Sequence, residues 1–322
     1  MSALSAMGRI VVIGEALVDV VPAAADGQPA RALPGGSPAN VAVGLARLGV
    51  PVTLVTAFGD DEYGRLVSAH LAGAGVAVRQ AGAGGPTSVA TVSLNAAGEP
   101  RYEFVLGWDI GVVELPAGAV AVHTGSLAAA LPPGRDRVDA ALADVPPGMT
   151  VSYDPNIRPA LLADPATERI RVERQVAYAD LVKASAADLA WLYPDADPLA
   201  VAARWLAGRP ALIVVTCGEH GCVGVTVAGT IEVPARPVRV VDAVGAGDAF
   251  TAALLAGLDD RGLLGPGWPG DGPPVAALPQ TLTAAVTAAG LTCARSGADP
   301  PTAAELSRAL AGSGPGTGGL PG

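Results

Sequence analysis

The chain has 322 residues, 50% of them hydrophobic but only 4% aromatic, so its core must be built from Ala, Val and Leu. That length holds one large α/β domain or two ordinary ones. A formal charge of −10 and a pI near 4.7 argue against nucleic acid or an anionic membrane surface as a partner. Cys217, Cys222 and Cys293 are an odd set of thiols, which fits a reducing compartment better than a disulfide framework. The opening MSALSAMGRIVVIGE lacks the pattern of a signal peptide, and no apolar stretch reaches the roughly 20 uninterrupted residues of a membrane span. A soluble, cytoplasmic chain is expected. Its single lysine is Lys183, so no mechanism can use a lysine elsewhere.

Residues 10–13 (IVVI) form a β-branched run ended by Gly14, the pattern of a strand buried on both faces. Similar runs follow at 52–56, 120–123, 150–153, 181–183 and 212–216. Helical patterns lie between them at 40–48, 63–74, 135–143, 168–177, 186–192 and 199–206. Strand and helix in alternation predict a mostly parallel sheet with helices on both faces, and binding sites beyond the C-terminal strand ends. Residues 86–105 break the rhythm: they alternate apolar and polar, with a turn signal at 95–100, and predict a half-exposed hairpin. With strands at 18–21 and 30–33 it would form a small projecting sheet, either a lid or an edge without function. Further on, 238–241 predicts a strand, 249–258 an apolar helix, 257–279 a Gly- and Pro-rich loop and 282–293 another helix. The tail 312–322 (GSGPGTGGLPG) has the composition of a disordered segment.

Two glycine turns open helices. In DAVGAGDAF (242–250), Gly245, Ala246 and Gly247 stand where backbone amides can converge on an anion at a helix N-terminus. Asp248, in the same first turn, has two readings: a helix cap, or the acceptor of a proton from a hydroxyl that attacks phosphorus. In GGSPANVAVGLARLG (35–49), Asn40 offers both a donor and an acceptor to a polyol, or caps its helix. No Walker loop is present, and G-x-G-x-x-G does not follow the first strand, where GEAL stands instead. Cys217, His220 and Cys222 lie close together, but zinc prefers four ligands and the glycines around them already explain a tight turn. The run Gly59, Asp60, Asp61, Glu62 predicts a turn and helix cap, and Glu15 is open to a structural or an active-site role.

GGSPANVAVGLARLG and DAVGAGDAF closely resemble the two signatures of the ribokinase-like, PfkB carbohydrate kinases, and the order of the motifs between them matches as well. GEALVD (14–19) resembles that family's opening strand with its sugar-binding aspartate, DPNIR (154–158) a segment of fructokinases and ketodeoxygluconate kinases, and TCGEHG (216–221) the nucleotide turn. The resemblance implies a three-layer αβα sandwich with a mostly parallel central sheet and a small β-sheet lid, in one domain over 1–311 with lid strands from about 16–34 and 86–107. It implies an ATP- and Mg²⁺-dependent sugar kinase, with K⁺ as a further candidate, acting on small molecules as a monomer or homodimer. Asp248 would be the general base, and the amides of Gly245, Ala246 and Gly247 the anion hole. Asp19, Gly35, Gly36 and Asn40 would grip the sugar, and Arg158 would reach the nucleotide phosphates. Thr216, Gly218, Gly221 and Ser185 would line the nucleotide site. Asp242, with carbonyls of Val244, Thr292, Arg295 and Gly297, would hold the monovalent cation. Two departures stand out: the family's N-x-x-E is Ser185-Ala-Ala-Asp188 here, leaving Asp188 to order magnesium waters, and a serine of the cation loop falls near Pro301. The motifs look most like fructokinases. The segment YEFVLG (102–107) lacks the arginine that a ketodeoxygluconate carboxylate would want, which favours a neutral sugar. Ketodeoxygluconate kinase, ribokinase and a catalytically silent binding protein are the alternatives.

Overall fold

The β-branched run that opens the chain forms strand β1 (Arg9–Ile13), and its two sides set the layering. Ile10 and Val12 enter one buried cluster, Val11 and Ile13 the other. The computed structural model describes residues 9–21, 30–82, 85–94, 100–115 and 118–312. Residues 95–99 of the expected turn at 95–100, and 313–322 of the expected tail at 312–322, lie outside the described residues.

Strands β4 (Val52–Thr56) and β5 (Ala77–Gln80) extend the sheet on one side of β1. On the other side come β8 (Ala119–Gly125), β9 (Thr150–Asp154), β10 (Leu181–Ser185) and β11 (Leu212–Thr216), all parallel. β12 (Cys222–Thr226) and β13 (Gly229–Val233) finish the nine-stranded sheet as an antiparallel hairpin. The chain leaves β1 toward β4 and later returns to pair β8 on its other flank, so the crevice between β1 and β8 is the topological switch point. The small sheet is rooted at that same end. β2 (Leu17–Val21) follows β1 directly and joins β3 (Arg31–Gly35), β6 (Ser88–Leu94) and β7 (Pro100–Val105) in the order β3-β2-β6-β7. Leu17 and Ala90 of this sheet pack against Leu127 of the main body.

Helices α1 (Ser37–Arg47), α2 (Glu62–Gly73), α7 (Ala246–Asp260), α8 (Leu278–Cys293) and α9 (Ala303–Ala311) cover one face. α3 (Gly134–Ala143), α4 (Pro165–Val176), α5 (Ala186–Leu192) and α6 (Pro198–Leu206) cover the other. Small residues let α1 and α7 approach closely: a Cβ added at Gly44 would stand 2.6 Å from the Cβ of Ala252. By length and composition Val275–Cys293 could cross a membrane, yet α8 buries Leu278, Leu282, Ala285 and Ala288 within the core.

Two expectations need correction. Residues 238–241 do not form a strand; Val238, Val240 and Val241 are exposed, and the amides of Val241 and Asp242 donate to the Cys293 carbonyl at 2.8 and 3.2 Å. The loop expected over 257–279 is shortened at both ends, since α7 runs to Asp260 and α8 starts at Leu278. Pro279 sits in the first turn of α8, where its missing N–H has no consequence.

Candidate active site

Gly245 is the N-cap of α7, in the left-handed region at φ 77°, where a side chain is disfavoured and a Cβ would also stand 2.6 Å from Ala298 Cβ. Asp248 lies three residues on but makes no capping bond to its own helix. Its carboxylate instead faces α1. Ser37 Oγ donates to Oδ1 at 2.6 Å and Asn40 Nδ2 donates to Oδ2 at 2.8 Å. The cap reading of Asp248 therefore fails, as does that of Asn40, whose side chain goes to Asp248. The close passage of Gly44 on Ala252 lies one helical turn beyond this pair on both helices, so the packing of small residues sets the bond between Asn40 and Asp248. Asp248 is 7% exposed, and each of its oxygens keeps a lone pair beyond the bond it accepts.

Asp19 comes from β2 across the hairpin to Gly35, where a Cβ would collide with its Oδ2. Gly36, at φ 99°, turns the chain into α1 against the Glu15 carbonyl. Burial pushes the Asp19 carboxyl up to about 6 and that of Glu15 up to about 7, with the Arg158 charge pulling both the other way. Glu15 Oε2 accepts from the Ala128 amide at 2.9 Å, tying the end of β1 to the turn after β8. Arg158 is exposed and folded on its own loop, donating to Asn156 Oδ1 at 2.6 Å.

Beneath the first turn of α7, Lys183 Nζ donates to Asp154 Oδ2 at 2.9 Å. Asp154 Oδ1 accepts from the Asn156 amide at 3.1 Å, and the next residue's amide, Ile157 N, donates to Asp188 Oδ1 at 2.9 Å. Asp188 and Ser185 form a capping box at the start of α5, which explains why an S-x-x-D pair serves at this place. At the end of β11, Thr216 pairs with Ser185 of β10, and Gly218 and Gly221 hold φ 57° and 94° in the turn to β12. Cys222 is buried and His220 exposed. Asp242 joins two loops: Oδ1 accepts from Val244 N at 3.0 Å, Oδ2 from Gly297 N at 2.9 Å. The Thr292 and Gly297 carbonyls accept from Arg295 N and Asp299 N, and Asp61 caps α2 through Gly64 N at 2.8 Å.

Ser37 and Lys183 were not among the residues the sequence reading selected. Ser37 sits inside the GGSPAN turn, where Ser followed by Pro looks like an ordinary helix start. Lys183 had a usable signal: a lone ammonium in the middle of an otherwise apolar, buried strand, where a charge is costly without a task.

The pfkB family carbohydrate kinase pattern matches residues 7–304. The chain belongs to that family. A fructokinase of Klebsiella pneumoniae is 39% identical over 268 residues, covering 80% of this chain and 86% of that protein. Among solved structures, the Xylella fastidiosa fructokinase with bound ATP superposes with a TM-score of 0.82 at 26% identity, covering 95% of this chain and 99% of that one. A Vibrio cholerae O395 fructokinase double mutant, in its fructose, ADP and potassium bound form, gives a TM-score of 0.77 at 28% identity, covering 94% and 98%. The chain is accordingly a carbohydrate kinase, a phosphotransferase with an alcohol acceptor.

Proposed function

We propose that the enzyme transfers the γ-phosphoryl group of ATP to a primary hydroxyl of D-fructose. The observation that carries the reading is the placement of Asp248: a buried carboxylate at a glycine-rich helix N-terminus, held by Ser37 and Asn40 rather than by its own helix. In the transfer, the sugar oxygen bonds to Pγ and its proton passes to Asp248, while the bond from Pγ to the bridging oxygen breaks and that electron pair leaves with ADP. The amides of Gly245, Ala246 and Gly247 stabilise the charge on the transferring group. Asp19, Gly35, Gly36 and Asn40 orient the sugar, and the small sheet acts as the lid that excludes water. The Arg158 charge acts on Glu15 and Asp19, and its side chain serves the phosphates once released from Asn156. Thr216, Gly218, Gly221 and Ser185 line the nucleotide site.

Among the described residues Asp188 Oδ1 accepts one donor and keeps a lone pair with which it would hold a magnesium-bound water; the ion would supply charge neutralisation at the nucleotide phosphates. Asp242 likewise keeps a lone pair on each oxygen, and with the carbonyls of Val244, Thr292, Arg295 and Gly297 as further ligands it would hold a monovalent cation.

A coupled ADP-release assay over fructose, ribose, ketodeoxygluconate and nucleosides tests the reading. Fructose is expected to give the highest kcat/KM. A higher value for ketodeoxygluconate or ribose would replace the substrate assignment, and no turnover with any of them would leave a binding protein.

A further inference from the structure

Lys183 is the chain's single lysine, yet its side chain is only 6% exposed, in the middle of β10. An ammonium is seldom buried unless paired, and even paired it contributes little to folding, because desolvation offsets the attraction to Asp154. A stability role does not account for it. Its position does. Nζ stands 3.0 Å from where a Cβ on Gly247 would project, so the ammonium abuts the first turn of α7, and glycine at 247 leaves it that room. One of its three N–H groups donates a hydrogen bond to Asp154, and among the described residues no second acceptor is bonded to it. Asp154, Asp188 and Asp248 all act electrostatically on Lys183 and raise its pKa against the effect of burial, which keeps it charged.

A phosphoryl group arriving at the α7 N-terminus adds its own negative charge to these carboxylates. The amides there carry only partial charges, and Arg158 is exposed and bonded to its own loop. The other buried cation among the described residues, Arg171, is paired with Glu168 on α4. We propose that Lys183 is a positioning residue for phosphoryl transfer: its ammonium, anchored by Asp154 under Gly247, sets a fixed positive charge against the transferring group and offsets the carboxylate of Asp248 beside it. Lys183 neither gives nor takes a proton in the step. The proposal rests on the reading that residues 245–247 hold the phosphoryl group.

Because Lys183 is the only lysine, lysine labelled with ¹³C at Cε gives a single side-chain signal in the whole enzyme. That signal is expected to shift when ADP, aluminium fluoride and fructose bind together, and to stay in place with fructose alone. Lys183→Met is expected to lower kcat by about 100-fold or more, with the KM for fructose within about threefold, and to lose affinity for ADP with aluminium fluoride while keeping affinity for ADP. A signal unmoved by the phosphoryl mimic overturns the proposal even if the Met variant fails to fold. So does a folded Met variant with turnover within threefold of the wild type. Wild-type turnover in Asp248→Asn would instead sink the underlying site reading, so the two failures are told apart.

Discussion

Asp248→Asn separates chemistry from architecture because the hydrogen bonds around it can survive the change. With its amide oxygen toward Asn40 Nδ2 and its amide nitrogen toward Ser37, the new side chain keeps both contacts, now 2.8 and 2.6 Å, once the Ser37 hydroxyl turns to accept. What is lost there is charge assistance on two bonds, about 1 kcal/mol each, too little to unfold a domain of this size. What is lost chemically is the proton acceptor. A positioned general base contributes about 10²–10⁴ in rate, or about 2.7–5.4 kcal/mol of activation free energy. Coupled ADP release is therefore expected to show kcat reduced at least about a hundredfold. The KM for fructose should stay within about threefold and the melting temperature within a few degrees. Turnover within tenfold of the wild type, in a variant that binds fructose normally, would refute the base assignment.

Gly44→Leu should force α1 away from Ala252 and destabilise the fold by about 1–3 kcal/mol, while lowering kcat through the displaced Asn40; urea unfolding and kinetics on the same preparation check both effects. Glu15 gives a pH test. Its folded pKa, raised from 4.5 to about 7 chiefly by burial, means the folded chain holds a proton that the unfolded chain releases between those values. Stability falls as pH rises through that window, and the loss is complete above it. Relative to Glu15→Gln, the wild type should lose about 3 kcal/mol between pH 4.5 and 7.5 in denaturant titrations, and parallel curves would contradict the assignment.

Strand and helix periodicity, the glycine turns and the composition are local properties, and they were legible residue by residue. The parallel core strands, the four-stranded small sheet and the two helix N-termini stand where alternation and glycine placement put them. The miss at 238–241 has the same origin: a β-branched run is a strand only if a neighbour offers a ladder, and here the amides turn to Cys293 instead. The weakly apolar edge strand β5, exposed along its length, carried too faint a pattern to read.

The task of Asp248 lay beyond such patterns. A carboxylate in a first helical turn caps or catalyses according to what faces it, and its partner Asn40 lies 208 positions away along the chain. Only the packing of Gly44 on Ala252 brings them together, and only the stacking of β9 beside β10 under α7 makes Lys183, Asp154 and Gly247 neighbours. Residue type settles what a side chain is able to do; distance settles which of those things it does, and distance belongs to the folded chain.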